Sequence, residues 1–167
     1  KLTEETTIHA RENSKFEIRN SKLIFISHES YNQGVIGLVA GRLVEEFYRP
    51  AIVVAKSAKI SKGSARSISG FNIVEAIRTC ADLLIDVGGH PMAAGFTIET
   101  EKLEILEKKL SAFAQEQISD DQLVKQLKID LKISLDQVTD RLWEEISELK
   151  PFGMANPEPV FATEVEV

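Results

Sequence analysis

The 167 residues carry 20 basic and 26 acidic side chains, a net charge of −6, in a composition that is 43% hydrophobic and 28% charged. That is an ordinary globular balance, enough for one domain plus a smaller piece or for two small domains. No apolar run approaches the ~20 residues that a spanning helix needs, no signal peptide is visible, and the acidic total, taken as a sum, argues against nucleic acid.

The distribution of charge argues otherwise. From Phe47 to Val74 there is no Asp or Glu, while Arg49, Lys56, Lys59, Lys62 and Arg66 fall in the same stretch. Acids outnumber bases from Glu99 to Glu148. A basic face on an acidic protein steers an anionic substrate to one site. For Lys56, Lys59 and Lys62 by themselves a solvated loop is an equal account. The single Cys80 has no internal partner, which fits a reducing cytosol.

In chain order, Leu2–Glu12 reads as a polar helix and Leu23–Ile26 as a buried strand. A loop through His28 and Tyr31 leads to a helix whose apolar positions 35, 36, 39, 43 and 47 recur at helical spacing. Gly34, Gly37 and Gly41 are poor helix formers, so packing against a sheet is expected to keep them. Pro50 ends that helix. Ala51–Ala55 reads as a second buried strand, and the strand–helix–strand unit predicts a parallel crossover. Gly63–Ile68 reads as an extended run of small residues after a polar loop. Asn72 with Glu75 predicts a helix cap. Ala81–Val87 fits helix or strand, and a strand follows over Ala94–Glu99. Thr100 caps a predicted helix to Gln117 with Leu103, Leu106, Leu110 and Phe113 buried. Leu127–Ile133 alternates as a strand, and Ser134 opens a helical stretch with Val138, Leu142, Ile146 and Leu149 on one face. Residues 151–159 are turn-rich, and Val160–Val167 alternates again as a strand that then stops, as if the chain were a piece of a longer one.

Two runs bear on chemistry. In Val87-Gly88-Gly89-His90-Pro91-Met92-Ala93-Ala94-Gly95-Phe96 the glycines let a backbone approach a ligand, and His90 suits an anionic group or a metal. The run equally fits a tight turn with an incidental histidine. In Gly63-Ser64-Ala65-Arg66-Ser67 an extended chain puts Ser64 and Arg66 on one face. A hydroxyl beside a guanidinium, flanked by small residues, receives a phosphate. A surface arginine on an edge strand accounts for the pentad as well. Asp82, Asp86 and His90 recur every four residues, but the glycine pair before His90 breaks the helix that would align them as metal ligands; no other His/Asp/Glu cluster has ligand spacing, and His9 and His28 read as surface residues. The residues themselves reach a phosphate or nucleic-acid site built from a basic strand and a glycine–histidine loop.

Gln33–Ala40, Gly63–Ser67 and Gly88–Gly95 together resemble the DHH-associated domain of the RecJ-type single-stranded-DNA-specific exonucleases. Pro151-Phe152-Gly153-Met154-Ala155-Asn156-Pro157-Glu158-Pro159-Val160-Phe161 resembles the family's approach to its OB-fold domain. The glycine–histidine motif alone is shared with other DHH phosphoesterases and with the tail domain of alanyl-tRNA synthetases; the proline–phenylalanine–glycine stretch points to RecJ. One departure stands out: Tyr31-Asn32-Gln33-Gly34 replaces a Trp-His-Gln-Gly found in many relatives.

The resemblance implies an α/β fold, a mixed β-sheet flanked by helices, followed by the beginning of an OB-fold-type β domain. Its implied divisions are residues 1–19 as connecting helix and linker, 20–118 as the substrate-binding domain, and 119–167 as a helix and first strands leading into a truncated OB domain. It implies the substrate-binding half of a 5′-to-3′ exonuclease in DNA repair and recombination. No Asp-His-His triplet occurs, so the metal-binding DHH half, which holds Mn or Mg in the full-length enzyme, is expected to be absent, and no metal is expected here. Ser64 and Arg66 are implied to hold the 5′ phosphate. Ser67, Gly63, Gly88, Gly89, Gln33, Gly34 and Tyr31 would join them on the DNA, with Tyr31 stacking. His90 would assist at the scissile phosphate. The expected partners are single-stranded DNA and the missing DHH domain, with no membrane, in a cytoplasmic monomer that is inactive alone. The alternatives are a DHH phosphodiesterase of short oligonucleotides or cyclic dinucleotides, against which residues 127–167 count, and a non-catalytic nucleic-acid-binding module.

Overall fold

A computed structural model describes residues 2–17, 21–153 and 155–165. The end of the expected 1–19 linker, Met154 and the last two residues of the expected final strand lie outside them. The chain divides into two units, Lys1–Lys125 and Gln126–Val167. The first extends past the expected boundary at Ile118.

In the first unit, α1 (Leu2–Glu17) precedes β1 (Ile24–His28), α2 (Ile36–Phe47), β2 (Ala51–Ala55) and β3 (Ile60–Arg66). Then come α3 (Ile73–Arg78), β4 (Leu84–His90), β5 (Ala93–Glu99) and α4 (Leu103–Gln117). The strands form one mixed sheet in the order β1-β2-β3-β5-β4, with β1 and β2 parallel and every other pair antiparallel. β2 is buried along its whole length, as a β-branched run between two covered faces should be. α2 ends on Tyr48, whose left-handed φ of 49° lets its N–H reach Val44 O before Pro50 starts the next strand. α3 begins where the Asn72 side chain accepts from the Glu75 N–H, the cap read from the sequence. Thr100 caps nothing. Its hydroxyl bonds Ser57 O and pairs with Ser61, and a short 3-10 turn precedes α4.

Each face of the sheet has its own core. On one face Ile24, Ile26 and Val53 pack against Ile36, Val39 and Leu43 of α2. On the other, Phe25, Ile52, Val54, Ala65, Phe96 and Ile98 pack against α3 and the Leu103, Leu106 and Leu110 stripe of α4. The α2 core reaches only the β1–β2 half of its face. At β3 the start of α2 meets only Ser64 and Arg66; over β5 and β4 the same face is open, and the site lies there.

Two expectations change. Gly88, Gly89 and His90 are the end of a strand rather than a loop. Their partners on β5 are Gly95, Ala94 and Ala93, and Pro91-Met92 alone makes the turn. β3 also begins at Ile60, earlier than the expected Gly63, because Lys62 and Ser61 continue the ladder with β2 and β5.

In the second unit the strand predicted over Leu127–Ile133 shortens to β6 (Leu131–Lys132), parallel to β7 (Phe161–Ala162). Between them Thr139 caps α5 (Asp140–Ser147) through a bond from the Leu142 N–H. Ser134 opens only a 3-10 turn.

Candidate functional site

Residues paired across strands share a face, and so do alternate residues along one strand. The register therefore lays three rows on that face: Arg66, Ala93 and His90; Ser64, Gly95 and Gly88; Lys62, Thr97 and Asp86. The first turn of α2 and the loop before it, with Gln33, Gly34, Gly37 and Leu38, wall one side. Wall and floor enclose a cleft of about 590 Å³. Ser64 and Arg66 share it, as their spacing predicted, and so do Gln33, Gly34, Gly63 and Gly88.

The Arg66 guanidinium is held by its own strand. Nη1 donates to Ala65 O at 2.9 Å and to Ser64 Oγ at 3.3 Å. No carboxylate lies within ion-pair distance of it among the described residues. A Cβ at Gly37 would come within 3.1 Å of both Arg66 Nη2 and Ser64 Oγ. Gly37 is the notch in α2 that admits the guanidinium. The helix start beside it has no side-chain cap; the Leu38 N–H is taken by Val35 O, so Ile36 and Gly37, which line the cleft, carry the helix-start N–H groups nearest the guanidinium and the hydroxyl. All three are donors suited to one anion.

The glycines differ in purpose. A Cβ on Gly63 would fall 2.1 Å from the Phe96 ring on the buried face, so Gly63 makes room for the core. Gly89, at φ +147°, would collide with Ala93 O at 2.3 Å, so it serves the hairpin. Gly88 would meet nothing within 4 Å, and Gly95 only Gly63 O at 3.8 Å. Those two lie side by side on the cleft floor. Gly41, expected to be kept by packing, also meets nothing within 4 Å.

His90 stands in the Arg66 row at the strand end, outside the residues that line the cleft. The Met92 N–H donates to its Nδ1 at 3.3 Å, which leaves Nε2 to carry the proton of a neutral ring. Ser67 and Tyr31 are corrections. Ser67 is buried and donates to Phe71 O at 2.6 Å. Tyr31 is 5% exposed, its hydroxyl is 2.9 Å from His9 Nδ1, and its ring meets those of His9 and His28. That cluster lines a separate hollow with Glu107, whose carboxyl is pushed up by burial and by Glu104. A ring so enclosed is not available to stack on a base in the cleft. Sequence reasoning did not name Gly37, Gly95, Thr97 or Asp86 as substrate-binding residues and left Lys62 as surface. Period two along β3 carries Lys62; the others become visible only through the strand register.

Among the described residues no group of three or more His, Cys, Asp or Glu could hold a metal ion. The residues present therefore do not fit a metal centre. What the cleft offers is two cations and one carboxylate, a helix start, and a floor that is bare of side chains at Gly88 and Gly95.

Comparison with known proteins agrees. Residues 20–116 match the DHHA1 domain and residues 129–167 the RecJ OB domain. The chain belongs to the DHHA1 domain family, in its RecJ-type form. It is 41% identical over 138 residues to the single-stranded-DNA-specific exonuclease RecJ of Bacillus subtilis, covering 81% of this chain and 18% of that protein. To the RecJ of Thermus thermophilus it is 32% identical over 141 residues, covering 84% of this chain and 20% of that one. The crystal structure of Thermus thermophilus RecJ in complex with Mn2+ superposes with a TM-score of 0.75 at 27% identity, covering 93% of this chain and 24% of that chain. A Mg2+ complex of the same protein superposes at 0.74 with 28% identity, covering 92% and 25%. The chain thus spans a quarter or less of these relatives.

Proposed function

We propose that this chain is the substrate-binding half of a RecJ-type, single-stranded-DNA-specific 5′-to-3′ exonuclease of DNA repair and recombination. The observation that carries the reading is the Arg66 guanidinium, unpaired with any described carboxylate, beside Ser64 Oγ and the uncapped start of α2. A terminal 5′ phosphate carries more charge than an internal diester and takes a bidentate guanidinium, a hydroxyl and helix N–H groups at once. The bare strands beyond it have room for one nucleic-acid strand. His90 assists at the scissile phosphate by donating from Nε2 as charge grows there. The hydrolytic metals, Mn or Mg, belong to a DHH half outside this chain; among the described residues no group of three or more His, Cys, Asp or Glu could hold one. The protein works in the cytoplasm as a monomer; among the described residues no helix is long and apolar enough to cross a membrane.

The test is binding of 5′-phosphorylated against 5′-hydroxyl single-stranded DNA by this chain at fixed salt, since phosphate contacts depend on salt. The wild type prefers the phosphorylated end. Arg66→Lys keeps the charge but loses the fork, and lowers the preference about ten- to a hundredfold, the worth of a charge-assisted bond of roughly 1.5–3 kcal/mol. Equal discrimination by both proteins would leave Arg66 a surface cation. In the complete enzyme His90→Ala lowers turnover on the order of 10²–10³ with DNA affinity little changed; unchanged turnover removes His90 from the chemistry.

A further inference from the structure

Gly88 and Gly95 have no explanation inside this chain. Neither has a positive φ, and neither would clash through a Cβ. A glycine in a strand weakens it relative to a residue with a side chain. Two of them directly opposite each other on an open face leave a patch of bare backbone. One side of that patch holds Ser64 and Arg66 on β3; at its far edge Asp86 stands two residues from Gly88 on the same strand, β4, in the adjoining row. Above it on the wall is Leu38, 61% exposed though it lies in the cleft.

Asp86 is out of keeping with its surroundings. It is a carboxylate in a cleft otherwise lined by Lys62, Arg66 and neutral groups. Lys62 stands in its row with Thr97 between them, and no ion pair joins Asp86 to a cation among the described residues. An ionised carboxylate can only accept hydrogen bonds. Beside a phosphate it would repel; across the sheet from one it faces a different part of the ligand. From β3 to β4 is two strand spacings, about 10 Å, comparable to the reach from a 5′ phosphate to the far edge of its base.

We infer that the nucleobase of the bound 5′-terminal nucleotide lies across Gly95 and Gly88 and is read at its edge by Asp86, which favours bases that present an amino group. This rests on the reading of Ser64 and Arg66 as holders of the terminal phosphate. The glycines let the sugar and base settle onto the backbone, and Leu38 covers the apolar side of the base. Cytosine presents an exocyclic amino donor to the carboxylate; thymine presents a carbonyl oxygen in its place, which the carboxylate repels.

The probes are four-nucleotide single-stranded DNAs, 5′-phosphorylated and differing only in a first base of cytosine or thymine. They are titrated into this chain at one salt concentration and followed by calorimetry. The wild type binds the cytosine end about tenfold more tightly, as a hydrogen bond to a charged group gives. Asp86→Ala erases the difference, while Arg66→Ala weakens both probes alike. Gly95→Val removes binding of both probes with no fall in melting temperature. If Gly95→Val does lower the melting temperature, Gly88→Ala is read instead and weakens both. Equal affinity for the two probes in the wild type, or a preference that survives Asp86→Ala, overturns the inference. Wild-type affinity in the glycine variants overturns the placement of the base. In each case binding that still depends on the 5′ phosphate and Arg66 leaves the phosphate site standing. Binding that ignores both, or no measurable binding, overturns the two together.

Discussion

Gly63 on β3 and Gly88 on β4 stand two strands apart in one sheet and answer opposite demands. A methyl on Gly63 would enter the Phe96 ring, whereas one on Gly88 would point into open space. Gly63→Ala therefore costs about 1–3 kcal/mol through overpacking, read as a lower urea midpoint. Gly88→Ala leaves stability unchanged or raises it by up to about 1 kcal/mol and weakens ligand binding. A Gly63→Ala protein as stable as wild type would show that Phe96 has somewhere else to go. The distinction was invisible in the sequence, where both sit in small-residue runs that read as phosphate sites. Its cause lies 33 positions away for Gly63 and is simply absent for Gly88. By contrast, the shared face of Ser64 and Arg66 was legible, because strand alternation needs no knowledge of the partner strand. Tyr31 carried no signal of burial, since its partners His9 and His28 come from two different elements.

At the scale of elements, β2, the Asn72 cap and the α4 stripe could be read directly, each being a local pattern. The Gly88–His90 strand could not. Glycine shows no period-two alternation, and only the ladder to β5 makes that segment extended. The short turn after α4 shows how an element is fastened. Lys22 Nζ donates to Ile118 O at 2.7 Å and stands 2.9 Å from Asp120 Oδ1. The hydrogen bond from Lys22, then its charge, hold the Asp120 carboxyl below the usual carboxylate range. A carboxyl with a lowered folded pKa contributes stability that is present above its unfolded pKa and lost as pH falls through the folded value. Wild type thus has a higher urea midpoint than Asp120→Asn at neutral pH, and the gap begins to narrow as pH falls through about 4 and closes below the lowered folded value. The gap is small, Asp120 being open to solvent. One that persisted in acid would mean that the carboxylate charge is not its source.

On the scale of the whole molecule, every buried residue among those described belongs to the first unit. The second exposes Leu127, Leu131, Leu135, Val138 and Trp143, so little of its apolar surface contributes to folding. Its strand alternation was read correctly as a pattern, but only two residues of it are paired in each strand. Among the described residues no group of His, Cys, Asp or Glu could supply the ligands that two-metal hydrolysis needs. Purified free of contaminants and supplied with Mn, it releases no nucleotides from 5′-phosphorylated single-stranded DNA. Release that disappeared with Arg66→Ala would show a catalytic centre in this chain.

The cleft floor ends on β4, which has a neighbour on one side only, and two of its seven residues are glycine. Such a strand breathes. Its amides open to solvent at lower free energy than those of β2, which is paired on both sides and buried throughout. Hydrogen–deuterium exchange should find β4 fast and β2 slow in the free protein, with β4 slowing when a phosphorylated strand is bound. Uniform protection across the sheet would contradict this. If the cleft holds a DNA strand, the surface that grips it includes this loosely held edge, and gripping quiets it. Affinity would then be held down by the motion that binding must remove, and the ligand released as readily as it is taken up.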